Sequence, residues 1–159
     1  MKLKNFLIVV KDIEISKKFY KELFGLDIAV EFEGNVILTE GLVLQREDLW
    51  REATGKQNVM KSNNCELYFE ESYMDGFLIK LENIQWEIEY VNPMLERDWG
   101  QRVIRLYDPD GHIVEVGETE ESVARRFLDN GMSIEAVSKK MRVPMDYIEE
   151  ISKKITYAN

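Results

Sequence analysis

Arg102-Val-Ile-Arg-Leu-Tyr-Asp-Pro-Asp-Gly-His-Ile-Val-Glu-Val116 is the stretch on which the reading of this chain turns. It predicts two short strands, 102–107 and 112–116, joined by the turn Asp108-Pro109-Asp110-Gly111. Proline pre-sets φ at one turn position, glycine accepts positive φ at another, and aspartate hydrogen-bonds its own backbone. The chemical signal is Glu115, a carboxylate inside the otherwise apolar Ile113-Val114-Glu115-Val116. A bare buried charge is costly, so Glu115 must be ion-paired, metal-bound or turned toward a wet cavity. The plainer reading is a strand with one solvated face.

Upstream, Asn5 to Val10 is a short apolar run that predicts a buried strand. Asp12 can N-cap the helix that follows, with Ile15, Phe19 and Leu23 on its apolar face and Gly25 as its left-handed stop. Ile28, Val30 and Phe32 alternate along a second strand, Gly34-Asn35 turns the chain into 36–39, and Glu40-Gly41 turns it again into 42–45. Residues 46–63 form a long polar connection, which for its length is functional or partly helical. The pattern then repeats: a strand over Cys65 to Glu70, a helix over Met74 to Leu81 with Phe77, Leu78 and Leu81 inward, and strands over 86–91, 101–107 and 112–116. Two copies of one pattern, about sixty residues apart, predict an internally duplicated domain.

The Asp-Pro-Asp-Gly turn followed by a glutamate-bearing strand resembles the C-terminal signature of the glyoxalase/bleomycin-resistance/dioxygenase superfamily, the vicinal oxygen chelate fold. Val9-Val10-Lys11-Asp12, Ser16-Lys-Lys-Phe-Tyr20 and Leu23-Phe-Gly-Leu-Asp27 resemble its opening strand, helix and helix exit, and Glu66-Leu-Tyr-Phe-Glu70 the strand that opens its second module. The resemblance covers about residues 3–117. It implies an α+β domain at 1–117, with paired βαβββ modules forming a curved, mixed eight-stranded sheet, and a helical extension at 118–159. It also implies a homodimer. Because the superfamily hosts lyases, isomerases, dioxygenases, thiol transferases and drug-binding proteins, the site has to decide the function.

Metal-dependent members place one ligand on each of four strands, and those positions fall on Asn5, Gln45 (Leu44 with a one-residue shift), Glu66 and Glu115. The usual pattern there is His or Gln, then Glu, His and Glu, so only Glu115 keeps a typical ligand identity. Imidazole with carboxylate suits zinc, nickel or ferrous iron, whereas Asn5, Gln45, Glu66 and Glu115 offer only hard oxygen. No obligate metal or other cofactor is expected; a divalent ion on these four residues is the alternative. His112, the only histidine, follows the turn and reads as a solvated turn residue. Strand parity puts Glu66, Tyr68 and Glu70 on one side of their strand, Val103, Arg105 and Tyr107 on one side of theirs, and Ile113 with Glu115 on one side of the last, and these polar sides can line one cavity. Arg105 is then a natural counter-charge for Glu66 or Glu115. If those two carboxylates instead meet unpaired, one pKa rises toward acid/base use. Glu115 and Glu66 are accordingly the candidate catalytic residues, and Asn5, Gln45, Tyr68, Trp99, Arg105 and Tyr107 the candidate ligand contacts.

The 159 residues carry a formal net charge of −9 with pI near 4.8, which disfavours nucleic acid and favours a cationic or amphipathic ligand. With 45% hydrophobic and 32% charged residues the composition is that of a globular protein. One cysteine, Cys65, excludes an internal disulfide and fits a reducing cytoplasm, and no apolar run is long enough to span a membrane. Within 118–159, helices are expected over Glu118 to Asp129, Ile134 to Met141 and Pro144 to Ile155. Ser133 to Ile148 resembles a helix-turn-helix, yet Asp146, Glu149 and Glu150 dominate the second helix where a DNA reader needs cations. The leading expectation is a cytoplasmic family protein that binds a small molecule without obligate metal. A metal-dependent lyase or isomerase of the lactoylglutathione lyase type is the first alternative, and a ligand-responsive regulator using the C-terminal helices the second.

Overall fold

The computed structural model describes residues 1–157, with side chains through residue 155. In chain order the elements are β1 Phe6–Val10, α1 Ile13–Phe24, β2 Ile28–Phe32, β3 Asn35–Leu38, β4 Leu42–Arg46 and α2 Glu47–Thr54. There follow β5 Glu66–Glu71, α3 Met74–Asn83, β6 Tyr90–Glu96, β7 Arg102–Tyr107, β8 Ile113–Glu118, α4 Glu120–Asp129, α5 Ile134–Met141 and α6 Met145–Tyr157. The eight strands form two four-stranded sheets of equivalent order, β1-β4-β3-β2 and β5-β8-β7-β6. This is the expected α+β duplication followed by helices. Residues cluster into two compact units: 1–67, 86–89 and 106–114 in one, and 68–85, 90–105 and the chain from 115 on in the other.

In the first unit, Asp12 accepts hydrogen bonds from the Glu14 and Ile15 amides, and Gly25 closes α1 at φ 70°. The buried stripe of α1 is Ser16, Phe19, Tyr20 and Leu23, whereas Ile15 is 45% exposed. A four-residue spacing drifts about 40° per step on a helix, so Ile15 lies roughly 90° from the centre of that stripe. This corrects the expected apolar face. In the first sheet β1 runs parallel to β4, and β3 is antiparallel to both β4 and β2. Ile8, Leu44 and Val36 align across one face and are all but fully buried, with α1 against β4.

The Asp-Pro-Asp-Gly turn is locked to the N-terminal strand and helix. Buried Tyr20 donates its hydroxyl to Asp108 Oδ2 at 2.8 Å, the Ser16 hydroxyl donates to Asp110 Oδ2 at 3.1 Å, and the Lys11 amide donates to Asp110 Oδ1 at 2.9 Å. Asp108 Oδ1 also accepts the backbone amides of Asp110 and His112. Trp86, expected to begin a strand, instead packs edge-on against Phe19 at 5.4 Å and donates its indole N–H to Glu22. The strand starts at Tyr90 and continues through Pro93. It is the last strand of its sheet, where a residue with no N–H is tolerated.

In the second unit, Val123, Ala124, Phe127, Val137, Met141, Ile148 and Ile151 of α4–α6 form one buried cluster, against which Trp99 packs. Glu118 does not begin a helix; it ends β8, and Thr119 N-caps α4. The Glu118 side chain is 2% exposed and sits between two arginines, with Arg102 Nη2 at 2.6 Å from Oε1 and Arg126 Nη2 at 2.9 Å from Oε2. Arg126 also donates to the Gly100 carbonyl, and Arg102 pairs with Asp75 of α3. The helical extension is thus tied to its sheet by charge as well as by apolar packing.

Two stability predictions follow from these buried polar contacts. Tyr20→Phe removes one hydrogen bond to a buried carboxylate and should cost about 1.5–3 kcal/mol in urea unfolding; an unchanged midpoint would show that the Tyr20–Asp108 bond adds nothing. For Glu118, burial alone would raise the pKa, but the hydrogen bonds from Arg102 and Arg126 hold it below its ordinary 4.5. A carboxyl depressed in the folded state contributes stability above its unfolded pKa and loses it as pH falls through the folded value. Wild type should therefore exceed Glu118→Gln by about 3 kcal/mol at pH 7, with the two converging in acid below pH 4.5. Parallel acid-unfolding curves would contradict this.

Candidate functional site

Alternation along β7 and β8 points Val103 and Arg105, and Ile113 and Glu115, to one face, while Arg102, Ile104 and Leu106 share the other with Val114, Val116 and Glu118. On the first face the Arg105 guanidinium is ion-paired with Glu115 Oε2, and Arg97 stands 3.9 Å from the same oxygen. The Glu115 side chain is only 8% exposed. The charge that the sequence marked as needing a partner is neutralised by Arg105.

The other candidates are dispersed over several elements. Glu66 opens β5, the sheet neighbour of β8, and is exposed. Tyr68 is exposed on β5 and accepts a hydrogen bond from Gln101 Nε2 at 3.0 Å. Trp99 is half-buried against the helical cluster. Tyr107 donates its hydroxyl to Asn63 Oδ1 at 2.9 Å, beneath the Lys61 ammonium 4.8 Å from its ring centre. Asn5 is exposed just ahead of β1. The β1–β4 register sets Phe6 opposite Leu42 and Val9 opposite Gln45. Asn5 and Gln45 therefore share a face but stand four residues apart along the strand direction, roughly 13 Å. Leu44, the alternative to Gln45, is wholly buried on the opposite, helix-facing side.

This set does not fit the superfamily's metal. It brings no imidazole, its one typical ligand is salt-bridged to Arg105, and its two amides are too far apart for one ion. Among the described residues, no three His, Cys, Asp or Glu side chains come together as a metal-binding group.

Sequence reasoning treated the Asp-Pro-Asp-Gly segment as a turn and missed the buried polar cluster it builds. His112 Nδ1 lies 2.9 Å from Asp108 Oδ2, so the histidine is not a free turn residue. Burial pulls the His112 pKa down, but the hydrogen bond and charge of Asp108 and the charge of Asp110 outweigh it and leave it raised. Burial, aided by the charge of Asp108, holds the Asp110 carboxyl above its ordinary range despite the Lys11 amide and Ser16 hydroxyl. Acids at positions 108 and 110 flanking a proline, with a tyrosine on the first helix, were the available signal.

Two equivalent four-stranded sheets with a buried acid on the final strand define a duplicated βαβββ protein of the glyoxalase type. The glyoxalase-like domain family model matches residues 3–121, and the chain belongs to that family. A protein of unknown function from Agrobacterium tumefaciens is 34% identical, with TM-score 0.63 over 75% of this chain and 94% of its own. A glyoxalase/bleomycin resistance protein/dioxygenase from Nocardioides is 23% identical, with TM-score 0.60 over 74% and 83%. A lactoylglutathione lyase from Agrobacterium tumefaciens is 20% identical, with TM-score 0.59 over 75% and 94%. These last two likenesses are of fold. No curated protein matches the chain. Among the described residues, no helix is long and apolar enough to cross a membrane.

The raised His112 pKa has a measurable consequence. A group that binds its proton more tightly when folded contributes stability that is full below its unfolded pKa, about 6.5, and lost as pH rises through the folded value. Wild type should exceed His112→Gln in unfolding free energy by more at pH 6 than at pH 9. A difference independent of pH would mean that Asp108 does not hold the imidazolium.

Proposed function

We propose that this chain binds a small molecule on the strand face carrying Arg105 and Glu115, without an obligate metal. The observation that supports this reading is the pairing of Arg105 with buried Glu115. A carboxylate ion-paired to a guanidinium is a poor base and an occupied metal ligand, yet the pair still presents directed hydrogen-bonding groups among apolar neighbours such as Val103 and Ile113. Such a face suits recognition better than proton abstraction. Tyr68 and Trp99, which belong to the same unit as Arg105 and Glu115, are the further contacts in this reading. The net charge of −9 makes cationic and amphipathic compounds the first class to screen. The protein acts here as a cytoplasmic homodimer, with residues 1–117 as the binding domain and 118–159 as a packing extension.

Two measurements on freshly purified full-length protein test this. Metal analysis should find zinc, nickel and manganese well below one per chain. A thermal-shift screen of cationic amphipathic compounds should yield ligands whose affinity falls about tenfold or more in Glu115→Gln, as expected when a charge-assisted contact to a buried carboxylate is lost. Stoichiometric metal that disappears in Glu115→Ala would replace this reading with a metal-dependent lyase or isomerase.

A further inference from the structure

The face of the first sheet turned away from α1 carries a pair of amides that the fold does not use. Strand register lays its side chains out in two rows. One row, Leu7, Val43, Ile37 and Val30, is entirely apolar. The next row is Val9, Gln45, Asn35 and Phe32, with Gln45 directly opposite Asn35. Both amides are half-buried, and neither side chain has a hydrogen-bond partner among the described residues. Cross-strand partners have Cβ atoms about 5 Å apart, so the two amides present their oxygens and N–H groups side by side. Phe32, at the end of the row, is 58% exposed and offers a ring face beside them.

Half-exposed amides without a protein partner can hydrogen-bond to solvent. A purely apolar ligand laid across the rows would displace that solvent and strand both groups, and buried unpaired amides penalise such a ligand heavily. A ligand with its own adjacent donor and acceptor keeps every bond and gains the apolar contacts. We infer that Asn35 and Gln45 form a specificity subsite for an uncharged planar amide, such as a carboxamide, a lactam or a nucleobase edge, borne on an aromatic ring that lies against Phe32. This rests on the small-molecule reading above and adds to it the chemical class recognised.

Benzamide, N,N-dimethylbenzamide and toluene form a graded probe set, because the second lacks both N–H donors and the third lacks the amide. Each is titrated into full-length ¹⁵N-labelled protein, and the side-chain NH₂ resonances of Asn35 and Gln45 are followed. Benzamide should shift both resonances and bind about tenfold more tightly than either other probe, the scale set by stranding one polar group. Gln45→Leu and, separately, Asn35→Val should abolish that preference while unfolding at wild-type denaturant concentrations or above, since neither amide supports the fold. Three equal affinities would overturn the subsite. So would shifts confined to the strand face of Arg105 and Glu115 with the amides silent, an outcome that leaves the small-molecule reading intact. Silence at both faces would likewise overturn the subsite, while the small-molecule reading is decided separately by the thermal-shift screen.

Discussion

The Asp108 carboxylate is the interaction on which the first unit depends. Its side chain is out of solvent, where a carboxylate survives only if donors surround it. Here the donors are Tyr20, two backbone amides and the imidazole of His112. Asp110 repeats the arrangement with Ser16 and the Lys11 amide. The turn therefore sets its own shape through the backbone amides and its place through Tyr20 and Ser16. Proline 109 and Gly111 make the bend available, but the carboxylates fix what it is attached to.

That lock also explains why distant pieces of sequence were informative together. Phe19-Tyr20 and Asp108-Pro109-Asp110-Gly111 carried the family resemblance from opposite ends of the chain, and they meet in one buried hydrogen-bonded cluster. Strand and helix positions were legible because β-alternation and helix caps are local. Trp86 and Ile15 were misread because their placement is tertiary: indole packing on α1 overrode a strand-like run, and the helix stripe centred on Tyr20 left Ile15 outside. The strand expected over 86–91 lies instead at Tyr90–Glu96 and runs through Pro93, which a sheet edge tolerates.

The site was legible only in part. A lone acid in an apolar strand correctly demanded a partner, and parity offered Arg105, because both arguments need only strand periodicity. The residues contributed by separate strands were harder, since one residue of register decides which side chains meet. Gln45 was picked out by analogy, but the register sets it beside Asn35 rather than Asn5, and Asn35 had been read as part of a turn. Glu118 was taken for helix because nothing in a run of acids before α4 distinguishes a solvated glutamate from one clasped by Arg102 and Arg126.

The bonds that close the Asp108 and Asp110 lock join residues 88, 94 and 99 positions apart in the chain. The clustered helices α4 to α6, by contrast, are joined by turns of a few residues. Loop-closure entropy must be met before non-local contacts reward it, and local helical contacts form faster. The C-terminal helices are thus the quick part of this chain. Until Asp108 and Asp110 have left the ribosome, Tyr20 and Ser16 have no carboxylates to meet, so during synthesis α1 can pack on β4 while those two hydroxyls wait for a turn made 88 and 94 residues later.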